Sequence, residues 1–146
     1  MKDETTEVVL SARVEVPIRF SEVDSLRVVW HGHYLRYFED GREAFGTKFD
    51  LEYLDIYEKD GYALPLVKEI VEHKRPLKYG DKAIVETTFV NSPAAKIIFR
   101  YQIFRESDGL LAATGETTQV FVDREGLLSF IVPEFFNSWK MKNSLA

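Results

Sequence analysis

The 146-residue chain contains no cysteine at all. That excludes disulfides and thiolate metal ligands, and it suits the cytosol as the expected compartment. No apolar run approaches the length of a membrane span, so no membrane partner is expected. The opening MKDETTEVVL is too charged, and its apolar run too short, for a secretory signal. Positive charge is also short: 19 Lys and Arg face 24 Asp and Glu, a net charge of −5. Nonspecific nucleic-acid binding needs clustered cations, so no nucleic-acid partner is expected either. No repeats, low-complexity segments or linkers interrupt the chain, and its length fits one domain, residues 1–146, with a real core. Aromatics are plentiful, with 11 Phe and seven Tyr among a 14% aromatic content. Such a supply points to a thick core or a subunit interface.

Apolar periodicity gives the order of elements. Residues 8–20 alternate, with Val8, Leu10, Ala12, Val14, Val16, Ile18 and Phe20 on one side, the pattern of a half-buried strand. Pro17 lacks an N–H and belongs near an edge or a bulge. A helix is predicted over 32–46: Tyr34, Leu35, Tyr37, Phe38, Ala44 and Phe45 make its apolar face. Arg36, Glu39, Asp40, Arg42 and Glu43 take the opposite side, and Gly46 is the expected C-terminal stop. The acidic stretch 47–60 reads as a loop or short helical turn. Strands follow at 62–74, 82–91, 95–106 and 110–123, punctuated by Tyr79-Gly80-Asp81, Asn91-Ser92-Pro93 and Ser107-Asp108-Gly109. Pro133 opens a final short helix. One strand, one long helix, then a run of strands indicates an α+β fold. Its antiparallel five-stranded sheet wraps around one long central helix, the arrangement called a hotdog, with a short C-terminal helix.

The segment SEVDSLRVVWHGHYLRYFEDGREAFG, residues 21–46, holds the chemistry. Asp24 sits in a polar turn just before the helix, flanked by Val23 and the plug Val28-Val29-Trp30. It is either a working carboxylate or an Asp that caps its own turn. Glu22, two residues away, reads as a solvated surface charge. Coupled acid–base work of the glycosidase kind would need a second carboxylate, and nothing else suggests a sugar. His31 and His33 flank Gly32, but three or four convergent ligands are lacking, so no metal is expected. The backbone here is more useful. The first N–H groups of a helix lack internal partners and carry the positive end of its dipole, so they can stabilise an oxyanion. Lys74, Arg75 and Lys78 form a small basic cluster that suits either the phosphates of a nucleotide-bearing ligand or a solvated strand end. Trp30 and the helix aromatics suit a core better than a ligand platform, and His73 has no evident role.

These residues resemble the signature of the hotdog-fold 4-hydroxybenzoyl-CoA thioesterase family, including its Tol-Pal-associated branch. In that pattern an aromatic strand end precedes an acidic residue, a spacer and the catalytic Asp. A turn, two aliphatics, an aromatic residue, often a His, and a Tyr opening the long helix then follow. Asp24, Val28, Val29, Trp30, His31, Tyr34, Phe38, Glu39 and Arg42 fill those places. Residues 75–81 resemble the family's basic-Pro turn, and ATGETTQVFVD its last long strand, so the likeness spans about residues 10–124. The resemblance implies thioester hydrolysis of an acyl-CoA or acyl-carrier-protein substrate without a cofactor. It implies Asp24 as nucleophile or general base and the His31 amide as oxyanion donor. It implies Lys74, Arg75 and Lys78 as contacts for the CoA phosphates, and a homodimer or homotetramer with its site at the dimer interface; Arg27, Trp30 and Tyr34, from the same segment, are expected as further substrate contacts. The chain departs from the pattern at Arg27, where the family commonly has Gly. A cation there narrows an acyl pocket, binds a substrate carboxylate, or marks a module that binds acyl thioesters without turning them over. A hotdog hydratase is a further class, but His31 or His33 with Glu39 matches it poorly.

Overall fold

The computed structural model describes residues 8–145. Strand β1 runs over Ser11–Pro17 and is followed by a 3₁₀ turn at Phe20–Glu22. A second 3₁₀ turn, His31–His33, leads straight into α1, Tyr34–Phe49. A short helix α2, Tyr53–Asp55, continues as a π turn over Ile56–Asp60. Strands β2 (Leu66–His73), β3 (Lys82–Val90), β4 (Lys96–Arg105) and β5 (Leu111–Val120) and helix α3 (Glu134–Lys142) complete the chain. The strands form one antiparallel sheet in the order β1-β3-β4-β5-β2. The expected α+β hotdog architecture is therefore observed, with α1 packed mainly over β1 and β3.

Alternation in β3 and β4 explains that packing. Ala83, Val85, Thr87 and Phe89 point inward from β3, as do Ile97, Phe99, Tyr101 and Ile103 from β4. Against them α1 sets Phe38, stacked on Tyr101 at 4.2 Å, and Phe45, edge-on to Phe99 at 4.9 Å. Helix α3 closes the far end with Phe136 and Trp139, whose rings stack at 5.5 Å. Two glycines let the layers approach. A Cβ at Gly115 would run into the Phe38 ring, and one at Gly41 into the Thr87 hydroxyl.

Several expectations need correction. The first strand is shorter than 8–20, because Pro17 ends it on the sheet edge, and Val8 and Phe20 are exposed. Gly46 does not stop the helix. It lies buried inside α1, where a side chain would strike the Leu51 carbonyl. The helix ends three residues later, capped by Asp50 in the left-handed region at φ 58°. Arg42 does not share the solvent face. Its register, four residues after Phe38 and three before Phe45, turns it inward, and it is 6% exposed.

Candidate functional site

The polar turn before α1 is a small hairpin. The Asp24 amide donates to the Val28 carbonyl at 2.9 Å, and the Trp30 amide to the Glu22 carbonyl at 2.9 Å. Between them the Arg27 amide donates to the Asp24 carbonyl, also at 2.9 Å. Arg27 takes φ 63°, so the loop is a turn closed by a left-handed residue. That is the conformation glycine adopts freely, which explains why a small residue suits this place. The hairpin docks on residues 77–79: Val29 donates to the Leu77 carbonyl and Tyr79 to that of Arg27.

Asp24 is exposed at the hairpin tip. Its Oδ1 accepts the Leu26 amide at 2.8 Å, the turn-capping bond that residue type alone suggests. Its Oδ2 is bonded to nothing among the described residues. His31 follows the Glu22–Trp30 pair, two rungs further along the hairpin from Asp24. It opens the 3₁₀ turn that runs into α1, and the His31 and Gly32 amides donate to no group among the described residues. Trp30 is half exposed, outside the core, with its ring laid over Gly32 and 4.9 Å from that of His31. Asp24, Arg27, Trp30 and His31 thus share one hairpin and helix start.

Other expected contacts are dispersed. Tyr34 is buried one step into α1, edge-on to His73 at 4.6 Å, and burial pushes its phenol above the usual range. Lys78 bridges to Val28 and so borders the hairpin. Arg75 is drawn away, donating to the Leu111 carbonyl at 2.8 Å, while the Lys74 amide bonds to Ala112. The basic cluster is therefore split between the hairpin and the start of β5.

Glu22 is not a solvated charge. It is 8% exposed, and its Oε1 accepts the Tyr37 hydroxyl at 3.0 Å and the Arg19 amide at 2.9 Å. Burial first, and then the Glu22 charge, drive the Tyr37 phenol far above its ordinary range. This pair ties the hairpin to α1 and braces the helix start that carries His31. Only the fold brings position 37 under position 22, so the spacing gives no sign of it.

Two clefts border α1. One of about 770 Å³ runs between β1 and the helix and meets the hairpin at Glu22. The other, of about 560 Å³, lies between α1, α2 and the β5–β2 side of the sheet. Asp24 and His31 line neither.

The pattern of the thioesterase-like superfamily matches residues 18–139. A Bacillus subtilis (strain 168) protein named "Putative acyl-CoA thioesterase YneP" is 29% identical over 128 residues, 88% of this chain and 91% of that protein. An Arabidopsis thaliana chloroplastic acyl-acyl carrier protein thioesterase, ATL3, is 30% identical over 70% of this chain and 54% of its own length. Among solved structures, a DHNA-CoA thioesterase from Staphylococcus aureus superposes with a TM-score of 0.80 at 26% identity, covering 92% of each chain. The 4-hydroxybenzoyl-CoA thioesterase from Pseudomonas sp. strain CBS-3 shares the fold, with a TM-score of 0.77 at 20% identity over 88% of this chain and 98% of that one.

Proposed function

Because the chain belongs to the thioesterase-like superfamily, we propose that it hydrolyses acyl-CoA thioesters with Asp24 as the reacting carboxylate. One observation carries this reading. A carboxylate with a free oxygen shares a hairpin with a helix start whose first two amides are free. A thioester carbonyl lying across that hairpin would receive a hydrogen bond from the His31 amide, strengthened as the oxygen becomes an oxyanion. Asp24 then works in one of two ways. As nucleophile it forms a mixed anhydride and expels the CoA thiolate, and water afterwards splits the anhydride into acid and free Asp24. As general base it takes a proton from water, which attacks the carbonyl directly. Either route consumes one water and releases one thiol and one carboxylic acid, and neither needs a cofactor.

Trp30 and Arg27 are placed in this reading against the acyl or pantetheine portion, with Tyr34 behind them. Lys78, Arg75 and Lys74 serve the CoA phosphates. The working unit is a homodimer or homotetramer of one domain per chain, 1–146, in the cytoplasm. Two observations support assembly: the site is uncovered in one chain, and edge strand β2 exposes Val67 and Ile70. No helix among the described residues is long and apolar enough to cross a membrane.

Arg27 and the Leu26–Asp24 bond favour a second reading, in which the module binds acyl-CoA or an acyl carrier protein without turnover. A thiol-trapping screen over short, long, branched and aromatic acyl-CoAs separates the two. Thiol release above the uncatalysed rate for any of them supports hydrolysis. Tight binding with no release across the panel supports the module.

A further inference from the structure

The cleft of about 560 Å³ has an anatomy of its own. Leu51, Leu54, Leu64 and Leu66 give it apolar walls. Arg42, Tyr53 and Gln119 supply polar groups, and Arg42 and Gln119 are only 6% and 1% exposed. A pocket mostly apolar, with a few buried polar groups converging on it, is the usual form of a small-molecule site.

The Arg42 guanidinium is the unusual member. Its Nη1 donates to the Tyr101 hydroxyl at 3.1 Å, and that hydroxyl lies 2.6 Å from Thr117 Oγ1. Its Nε–H is buried without an acceptor. It has no ion-pair partner among the described residues. A buried cation so sparsely matched is costly unless something else supplies an acceptor. The Tyr53 hydroxyl donates to Gln119 Oε1 at 2.8 Å while its oxygen faces the Arg42 guanidinium, and Gln119 Nε2 donates to the Leu64 carbonyl at 2.8 Å. The Arg42 Nε–H alone is left without an acceptor at this end of the cleft, and an oxygen atom is what it lacks.

The charge around the cleft decides which oxygen. Glu39, Glu43 and Glu52 also line it and are all exposed. Three carboxylates at the mouth against one buried guanidinium repel an anion. A neutral acceptor suffers no such repulsion.

We propose that this cleft binds an acyl chain carrying a neutral oxygen, a ketone or hydroxyl remote from the thioester, with Arg42 as the group that selects it. The carrier being CoA rests on the thioesterase reading; the oxygen preference rests on the cleft alone.

The test uses S-alkyl thioethers of CoA, which cannot be hydrolysed, in matched sets whose chain carries a ketone, a plain methylene or a terminal carboxylate. Binding to the full chain is measured by calorimetry over a series of chain lengths. At the best length the ketone is expected to bind at least about tenfold tighter than the methylene, the worth of one hydrogen bond to a charged donor. The carboxylate is expected to bind more weakly than the ketone. In Arg42→Met the ketone preference should fall to within about threefold of unity. Should that variant fail to fold, Arg42→Lys keeps the charge but loses the planar fork, and a reduced preference is expected there too. Equal binding of ketone and methylene by the unaltered chain, a carboxylate that binds tightest, or a preference unchanged in the folded Arg42 variants would each overturn the proposal. Thiol release from ordinary acyl-CoAs is measured in parallel. Release without an oxygen preference overturns only the cleft assignment, whereas a preference without release overturns only hydrolysis.

Discussion

Arg27 sets backbone and side chain at odds. An L-residue in the left-handed region costs about 1–2 kcal/mol, and glycine avoids that cost while losing more chain entropy, so the net gain is smaller. Arg27→Gly is expected to raise stability by about 0.5–1 kcal/mol, read as a higher urea midpoint at unchanged slope. If the guanidinium contacts substrate, the same variant should lose kcat/KM while gaining stability, and a stable variant with unchanged kinetics would remove Arg27 from the site. The residues here were unequally legible in the sequence. Asp24 announced itself by its place before a helix, and the structure shows the turn-capping bond on one carboxylate oxygen with the other unbonded among the described residues. Glu22 did not, because its burial depends on a tyrosine hydroxyl from 15 residues further along. A charge reads as solvated until its partner is known. Arg42 was misassigned for a different reason. Its helical register points inward, between Phe38 and Phe45, although its residue type suits a solvent face.

Among the elements, the strands were read well because a half-buried sheet writes itself as alternation, and the β3–β4 and β4–β5 hairpins follow from their short turns. Helix α1 was found from its apolar spacing, but its end was misplaced. Gly46 is there for close approach to the Leu51 carbonyl rather than for a left-handed cap. Close approach is invisible in a sequence, since it belongs to two segments at once. Gly115 serves the same purpose on β5, leaving room for Phe38, which is buried on α1 and stacked on Tyr101. Gly115→Ala therefore forces the Phe38 ring off its place and is expected to cost about 1–3 kcal/mol. Chemical denaturation would show this as a lower midpoint, and a variant as stable as the parent would mean that α1 sits more loosely on the sheet. The Glu22–Tyr37 bond has a related effect, since it joins the hairpin that carries Asp24 to α1, so the position of His31 depends on how α1 packs.

Across the whole molecule, phenols set into the fold couple stability to alkaline pH, three of them buried and Tyr53 about a third exposed. Four of the seven tyrosines, Tyr34, Tyr37, Tyr53 and Tyr101, hold their protons more tightly in the fold, with burial the largest cause in each. Tyr53 is pushed up to about 12 by burial, against a partial lowering by Arg42. A folded value above the unfolded one means that this stabilisation is complete below about pH 10 and is lost as pH rises from there toward 12. The phenolate absorbance of these four should accordingly rise late and cooperatively, together with loss of the fold by circular dichroism. A single smooth titration near pH 10 with the fold intact would contradict the burial pattern. The sequence foreshadowed this scale only in its aromatic wealth. The clefts beside α1 depend on surfaces brought together from distant segments, which no local pattern records.

The central claim is that Asp24 carries out thioester hydrolysis beside the His31 amide. It is tested most directly by thiol release from the best acyl-CoA of the screen, comparing the parent chain with Asp24→Asn at matched folding by circular dichroism. Asparagine keeps the Oδ1 acceptor for Leu26, and with it the turn, but loses the nucleophile and base. The account predicts a fall in kcat of about 10²-fold or more with the melting temperature nearly unchanged. Turnover by Asp24→Asn within a few-fold of the parent would contradict it.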